Sequence, residues 1–326
     1  MKAAVKDRYG PPEVVAVREV ERPVPTGDRV LVGVRAASVN RADLDGLLPR
    51  PSFVRLFIGL RTPRNRRVGL DVAGVVEAVG PAVTRLTVGD AVFGDLSAFD
   101  DGAFAEYVCT GERAFQPIPA GMAFEVAATL PHSGILALQG LRRRDGQAIG
   151  PGDRVLVDGA SGNVGPFAVQ VAKSMGAEVT GVCSPSKVDL VRSLGADHVI
   201  DYTRVDYTRT GERYDWILDV DSHHSAFAAR RALRPGGVYV TLGGTTLPIF
   251  AALLLAPLIG RLSGRRMGLM IWWAPFKTED VTTLLELVGS GAVRPVIDRR
   301  YPLDEVVAAL RYVDDGRARG KVIITP

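Results

Sequence analysis

The sequence predicts an α/β protein that joins a strand-rich module to a parallel-sheet module. Three observations carry this. Short strands punctuated by Pro and Gly fill the stretch before Met122. Strand and helix patterns alternate from there to about Trp272. A buried strand at Val155–Asp158 runs directly into a glycine-rich turn and a helix. Strands alternating with helices argue for βαβ units in a parallel sheet.

In the strand-rich stretch, Arg29–Ala37 alternates with period two and Gly69–Val79 is rich in valine and small residues. Val88-Gly89-Asp90 is a turn leading into a strand at Ala91–Phe93, and Phe104–Val108 is another short strand. Phe124–Leu130 and Ile135–Leu141 are apolar at helical spacing. After the turn Gly150–Asp153 come a strand at Arg154–Asp158, a helix at Val164–Met175, a strand at Glu178–Cys183, a helix at Ser186–Leu194 and a strand at His198–Ile200. Further strands are expected at Trp216–Val220 and Val238–Leu242. Gly176 and Gly195 follow the two helices, where a left-handed residue ends a helix. Lys277–Val288 reads as an amphipathic helix, Arg294–Tyr301 as extended, Leu303–Val313 as a helix and Lys321–Thr325 as a closing strand.

A chain of 326 residues is long enough for two domains. Its 47% hydrophobic and 23% charged residues exclude a disordered or collagen-like protein. The two cysteines, Cys109 and Cys183, exclude a disulfide framework and a four-Cys zinc site, and they fit a reducing, cytoplasmic setting. The net charge is only +4, and the clusters Arg64–Arg67 and Arg142–Arg144 lack interleaved aromatics, so no nucleic-acid partner is expected. The N-terminus lacks the apolar core of a signal peptide. The apolar run Leu247–Leu262 contains Pro248, Pro257 and Arg261 and is too short for an integral membrane span. It suits a buried helix, a pocket wall or a subunit interface.

The strongest local signal is Val155-Leu-Val-Asp-Gly-Ala-Ser-Gly-Asn-Val-Gly165. Gly159, Gly162 and Gly165 recur every third residue, with Ala160 in the first place of a GxGxxG-like pattern. Small residues let the backbone approach a pyrophosphate, and the helix start offers free N–H groups and a positive dipole end. Gly159, Ala160, Ser161, Gly162, Asn163, Val164 and Gly165 are therefore candidate dinucleotide-binding residues. The next strand ends in Val182-Cys-Ser-Pro-Ser-Lys187, with no carboxylate for the ribose hydroxyls that NAD requires. Ser184 and Ser186 supply hydroxyls and Lys187 a positive charge, which would welcome a 2′-phosphate. The expected cofactor is NADPH.

With Ala37-Ser-Val-Asn-Arg-Ala-Asp43, Gly69-Leu-Asp-Val-Ala-Gly-Val-Val-Glu-Ala-Val-Gly80, Val88–Gly94, Gly102–Val108, Leu130–Gly134, the turn above and Leu194–Tyr202, the chain resembles the medium-chain dehydrogenase/reductase superfamily along essentially its whole length. It looks most like the zinc-independent quinone oxidoreductase branch. The resemblance implies a GroES-like β catalytic domain from residues 1–122, a Rossmann doubly wound parallel-sheet domain from 123–272 and a return to the catalytic domain over 273–326. It also implies a homodimer.

Zinc-dependent relatives hold their catalytic metal with Cys, His and Cys. Here Asn40 stands where the first Cys would be and Leu70 where a Gly-His-Glu motif would supply the His, so no metal site is expected. His223 and His224 read as a surface pair without partners. Carried over by position, Asn40 and Asp43 are catalytic candidates near the nicotinamide ribose or substrate. Ser133 would border the nicotinamide, as would Leu242, Gly243 and Gly244 at the sheet edge. Lys187 and Tyr202 match residues around the adenosine phosphate. Arg317 and Lys321 match a tail that reaches the cofactor. Some relatives carry a tyrosine within the stretch matching residues 49–67, where this chain has only Ser52 and Phe53.

The expected reaction is hydride transfer from NADPH to a small apolar quinone or α,β-unsaturated carbonyl. The alternatives are a zinc-independent carbonyl or alcohol oxidoreductase, a non-catalytic NADPH-binding protein and a membrane-associated reductase.

Overall fold

The computed structural model describes residues 1–49, 55–99, 101–143, 145–244, 249–271 and 273–326. Arg144, the Ser52 and Phe53 positions, and the start of the apolar run at Leu247–Pro248 lie outside the described residues. The chain divides into two compact units. One comprises Met1–Ser133, Pro275–Lys277 and Ile297–Pro326, the other Gly134–Ala274 and Thr278–Val296.

The strands in chain order are β1 (Lys2–Lys6), β2 (Val15–Glu19), β3 (Arg29–Val39), β4 (Asp71–Val79), β5 (Ala91–Asp95), β6 (Tyr107–Gly111), β7 (Phe115–Pro117), β8 (Arg154–Asp158), β9 (Glu178–Cys183), β10 (His198–Asp201), β11 (Tyr214–Asp219), β12 (Leu233–Thr241), β13 (Arg266–Leu269), β14 (Ile297–Pro302) and β15 (Lys321–Thr325).

In the first unit a seven-stranded sheet has the order β14-β15-β3-β4-β5-β7, with β6 also paired to β3. Only the β14–β15 pair is parallel. Its core includes Val30, Val32, Val72, Val76, Phe104, Phe115, Val322 and Ile324. All but Phe104, which precedes β6, lie on strands, and β3 is buried along nearly its whole length. β1, β2 and β7 carry little periodicity and were not anticipated. The expected strand at Phe104–Val108 is displaced to β6, and the Phe104 backbone is used elsewhere: its O accepts from Ala4 N–H at 2.8 Å and its N–H donates to Val68 O at 2.9 Å.

The second unit is a six-stranded, all-parallel sheet in the order β10-β9-β8-β11-β12-β13. Numbered from β8, this is the 3-2-1-4-5-6 order of doubly wound dinucleotide-binding sheets. The direction of winding reverses between β8 and β11, and ligands of such sheets lie at that switch point. The helix Gly165–Ser174 follows β8 and is buried from Gly165 through Ala172. Gly176 and Gly195 adopt φ of +82° and +96° after their helices, as the sequence requires of C′ glycines.

The apolar run is helical from residue 249 to Leu262, with a π turn over Ala251–Leu255 and an α-helix over Ala256–Leu262. Pro257 has no N–H to give to the preceding turn, and a widened ladder accommodates that. The helix is not a buried one: Leu254, Leu258 and Leu262 are 66%, 56% and 80% exposed. With β12 and β13 its inner face borders a cavity of about 510 Å³. Among the described residues no helix is long and apolar enough to cross a membrane.

Candidate active site

In the second unit the glycine-rich turn opens at the carboxyl end of β8. Gly159 has φ +80°, and the Ala160 N–H donates to Val182 O at 2.9 Å, fastening the turn to β9. Gly165 must be glycine. A Cβ there would lie 2.2 Å from Gly159 O and 2.5 Å from the Ala160 carbonyl carbon, so helix and turn touch backbone to backbone. At Gly162 the nearest atom to a Cβ would be Gly159 O at 3.6 Å, which leaves that side of the turn bare. In the following helix Pro166 has no N–H and the Phe167 and Ala168 N–H groups donate to Val164 O at 3.1 and 3.0 Å, so an anion would be met by the turn itself and the dipole of the helix start. This bare cradle fits a pyrophosphate.

Ser184, Lys187, Tyr202 and Leu242–Gly244, also assigned to the dinucleotide, follow strands of the same sheet at its carboxyl edge. Ser184 follows β9, and Lys187 closes a 3₁₀ turn there. The Lys187 charge acts on the buried Cys183 thiol, although burial dominates and pushes that thiol up to about 11. The Tyr202 N–H donates to Cys183 O at 3.2 Å, and its side chain is 60% exposed beside the strand end. Past β12, Leu242 N–H donates to Asp219 O at 2.9 Å and Gly243 O accepts from Ser222 N–H at 3.0 Å. Gly244 has φ +137°, and a Cβ there would meet Ser222 O at 2.5 Å.

Two carboxylates at this edge were not read from the sequence. Asp158 and Asp219 end the adjacent strands β8 and β11 in register. Burial, and then the charge of Asp219, hold Asp158 well above the ordinary carboxylate range. Burial pushes Asp219 up to about 6, against the hydrogen bond from Tyr239 Oη at 2.7 Å. Tyr239 Oη also meets Ser222 Oγ at 3.2 Å.

His223 and His224 do have partners, because the loop after β11 packs against an acidic neighbour. His223 Nε2 lies 3.4 Å from Asp221, His224 Nδ1 lies 4.0 Å from Asp206, and the His224 ring packs edge-on to Tyr207 at 4.8 Å.

The first unit holds a second polar centre. Strand register builds it: Asp71 on β4 is paired with Ser38 on β3 and with Asp95 on β5. Val322 of β15 pairs with Val39 of β3, which brings Lys321 beside Asn40. Ser38, Asn40, Asp71, Ser133 and Lys321 are all at most 1% exposed. Asp71 Oδ2 accepts from Ser38 Oγ at 2.8 Å, Asn40 Nδ2 at 2.9 Å and Lys321 Nζ at 3.1 Å. Asp71 Oδ1 accepts from the His132 N–H at 2.9 Å. Asn40 Oδ1 accepts from Ser133 Oγ at 3.0 Å and from Lys321 Nζ at 2.5 Å.

Asp43 lies in the first turn of the helix Arg41–Leu47 and accepts from the Asn40 N–H at 2.6 Å. Its other oxygen, Oδ1, is buried with no hydrogen-bond partner among the described residues. Burial pushes this carboxyl up to about 7. His132 Nδ1 faces Asp95 Oδ2 at 3.2 Å. Burial pulls His132 down, but the hydrogen bond and charge of Asp95 outweigh it and the imidazole titrates above its usual value. Burial pushes Asp95 up, but the His132 hydrogen bond and charge outweigh it and hold Asp95 below the ordinary carboxylate range. Burial pulls the Lys321 ammonium below its usual value, against Asp71.

Of the residues expected around the cofactor, Lys321 is placed differently: it is buried with its ammonium committed to Asn40, Asp71 and Ser133, because β15 pairs with β3. Arg317 is exposed and stacks over the Tyr312 ring at 5.1 Å. Asp71, Asp95 and His132 escaped the sequence reading. Their one signal was a charged or titratable residue inside an otherwise apolar strand or helix start, where burial demands a partner. Among the described residues no group of three or more His, Cys, Asp or Glu is placed to hold a metal ion.

Residues 26–120 match the family described as alcohol dehydrogenase GroES-like domain, and residues 194–324 the family described as zinc-binding dehydrogenase. A mitochondrial NAD(P)H oxidoreductase of Mus musculus is 32% identical over 99% of this chain and 89% of its own length. A 2-methylene-furan-3-one reductase of Solanum lycopersicum is 32% identical over 100% of this chain and 79% of its own. The solved quinone oxidoreductase of Coxiella burnetii matches with a TM-score of 0.87 at 27% identity, covering 100% of this chain and 99% of that one. With a GroES-like domain, a Rossmann-like parallel sheet and these relatives, the chain belongs to the medium-chain dehydrogenase/reductase superfamily and is an NAD(P)H oxidoreductase of its quinone oxidoreductase-like branch.

Proposed function

We propose that the protein uses NADPH to reduce a small apolar quinone or α,β-unsaturated carbonyl. The observation that carries the cofactor choice is the end of β9: Ser184, Ser186 and Lys187 stand where an acidic residue would select NAD. The substrate class is supported by the names of the relatives. The turn Gly159–Gly165 would hold the pyrophosphate, and Ser184, Lys187 and Tyr202 the 2′-phosphate and adenosine ribose. Leu242, Gly243, Gly244 and Ser133 would border the nicotinamide. When bound, NADPH supplies the hydride, and the protein supplies orientation and electrostatics.

Asn40 and Asp43 are the proposed catalytic residues of the first unit. The Asn40 amide is fixed by Asp71, Ser133, Lys321 and the Ser38 carbonyl, so it orients without rotating. Asp43, with its carboxyl at about 7 and one buried oxygen without a partner, can hold a proton near neutral pH. A carboxyl tuned near the working pH suits general acid–base work. The exposed Leu254, Leu258 and Leu262 support a homodimer, and light scattering checks it.

Anaerobic oxidation of NADPH with a panel of quinones, enones, aldehydes and alcohols tests this reading. Turnover with quinones or enones supports it. Turnover confined to simple alcohols overturns it, and tight NADPH binding without any turnover points to a non-catalytic binding protein.

A further inference from the structure

We propose that Lys321 is a positioning residue: its ammonium is an internal cation that stands in for a metal, neutralising Asp71 and locking the Asn40 side chain in one orientation. The proposal deepens the reductase reading above and rests on it for its kinetic readout only.

The ammonium has three hydrogens and three acceptors: Asn40 Oδ1 at 2.5 Å, Asp71 Oδ2 at 3.1 Å and Ser133 Oγ at 3.1 Å. Its side chain is 1% exposed, and that of Asp71 is 0% exposed. Asn40 occupies the position of the first metal-binding Cys of the zinc-dependent relatives, and Asp71 follows Leu70, the position of their His. The Nζ atom therefore contacts one side chain, Asn40, at a ligand position of those relatives and another, Asp71, one residue past a second.

The lock follows from hydrogen-bond chemistry. An ammonium only donates and a carboxylate only accepts. Lys321 thus compels Asn40 to present Oδ1 to it, and Asp71 compels Asn40 to present Nδ2. Because the amide is rigid, each partner alone selects the same orientation, and a flip would set donor against donor at Lys321 and acceptor against acceptor at Asp71 at once. Ser133 completes the arrangement by accepting from Lys321 and donating to Asn40 Oδ1.

Unlike a catalytic metal, this cation has no open position. All its hydrogens are used, so it organises the site without binding substrate or a cofactor phosphate. Truncating it would leave a buried carboxylate uncompensated, which is the costly half of breaking a buried pair.

The test uses the full chain with Lys321→Met, Lys321→Ala, Lys321→Arg and the double variant Lys321→Met/Asp71→Asn. Thermal unfolding is read first and needs no turnover. Lys321→Met should lower the midpoint, and adding Asp71→Asn, which removes the orphaned charge, should recover most of that loss. Additive losses would overturn the internal cation.

Kinetics are then read on whichever acceptor the wild type reduces fastest. Lys321→Met should lower kcat about 100-fold, the scale of a misplaced catalytic group, with NADPH affinity unchanged within about threefold. The double variant should stay equally slow despite its recovered fold. Methylammonium ion should restore kcat of Lys321→Ala about tenfold by occupying the vacated cation position, and should leave Lys321→Met, whose thioether fills it, unimproved. Lys321→Arg should keep the charge but not the geometry and recover only part of kcat. Weakened NADPH affinity with unchanged kcat would overturn the proposal and return Lys321 to the cofactor. If the wild type reduces no quinone or enone, the reductase reading fails, while the unfolding cycle still decides for or against the internal cation.

Discussion

Asp158 and Asp219 end neighbouring parallel strands in register, directly below the phosphate-binding turn. Two carboxylates on adjacent buried strand ends cannot both ionise cheaply, and each is held above its ordinary value. A carboxyl whose folded value is raised stabilises the fold fully below its unfolded value and loses that contribution as pH rises through the folded one. For Asp219 the window runs from the ordinary carboxylate value of 3.8 to about 6. Asp158→Asn removes the repulsion while keeping an acceptor for the turn. Urea unfolding should show it more stable than wild type by roughly 1–2 kcal/mol at pH 8 and equal at pH 3. Equal stability at both would mean the pair does not share a field.

The glycines of the turn separate packing from ligand approach. Gly165→Ala drives a methyl into Gly159 O and the Ala160 backbone, so it should cost roughly 1–3 kcal/mol of stability. Gly162→Ala meets nothing closer than 3.6 Å and should change stability by under about 0.5 kcal/mol. It should still weaken NADPH binding by about tenfold, or 1.4 kcal/mol, by covering the bare side of the turn. Calorimetric titration with unchanged affinity in Gly162→Ala would place the pyrophosphate elsewhere.

Cofactor selectivity concentrates on one side chain. Lys187→Ala should raise the KM for NADPH about 10- to 100-fold, the worth of a lost charge-assisted hydrogen bond of about 1.5–3 kcal/mol. The KM for NADH should barely move. Parallel loss with both cofactors would show that Lys187 supports the loop rather than the 2′-phosphate.

The His132–Asp95 pair gives the first unit a pH window. His132, raised, contributes stability that is complete below its unfolded value and lost as pH rises through its folded one. Asp95, lowered, contributes above its unfolded value and fails as pH falls through its folded one. The pair is therefore most stabilising from weakly acidic to near-neutral pH. The His132 ring resonance should titrate above the ordinary imidazole value of 6.5 in wild type and below it in Asp95→Asn. An unmoved midpoint would dismiss the coupling.

The parallel sheet was legible because its strands are short apolar runs closed by glycine turns, and because Gly159 and Gly165 do what the pattern asks of them. Gly165 is required by a backbone contact, not by fashion of motif. The first unit's polar centre was less legible. Asn40 and Asp43 stood out by resemblance, but Asp71, His132 and Lys321 lie 31, 92 and 281 positions from Asn40 in sequence and are brought together only by the tertiary fold. Nothing local in Lys321-Val-Ile-Ile-Thr325 distinguishes a surface lysine from a buried one; β15 pairing with β3 decides it. The apolar run after β12 was ambiguous for a similar reason, since composition does not say which of its leucines face the sheet.

The most direct measurement of the central claim is the anaerobic initial rate with quinone and enone acceptors, taken in parallel with NADPH and NADH. The account predicts turnover with at least one of these acceptors and a kcat/KM for NADPH about tenfold or more above that for NADH, a preference lost in Lys187→Ala. Equal use of both cofactors, unchanged by the substitution, or turnover of simple alcohols alone, would contradict it.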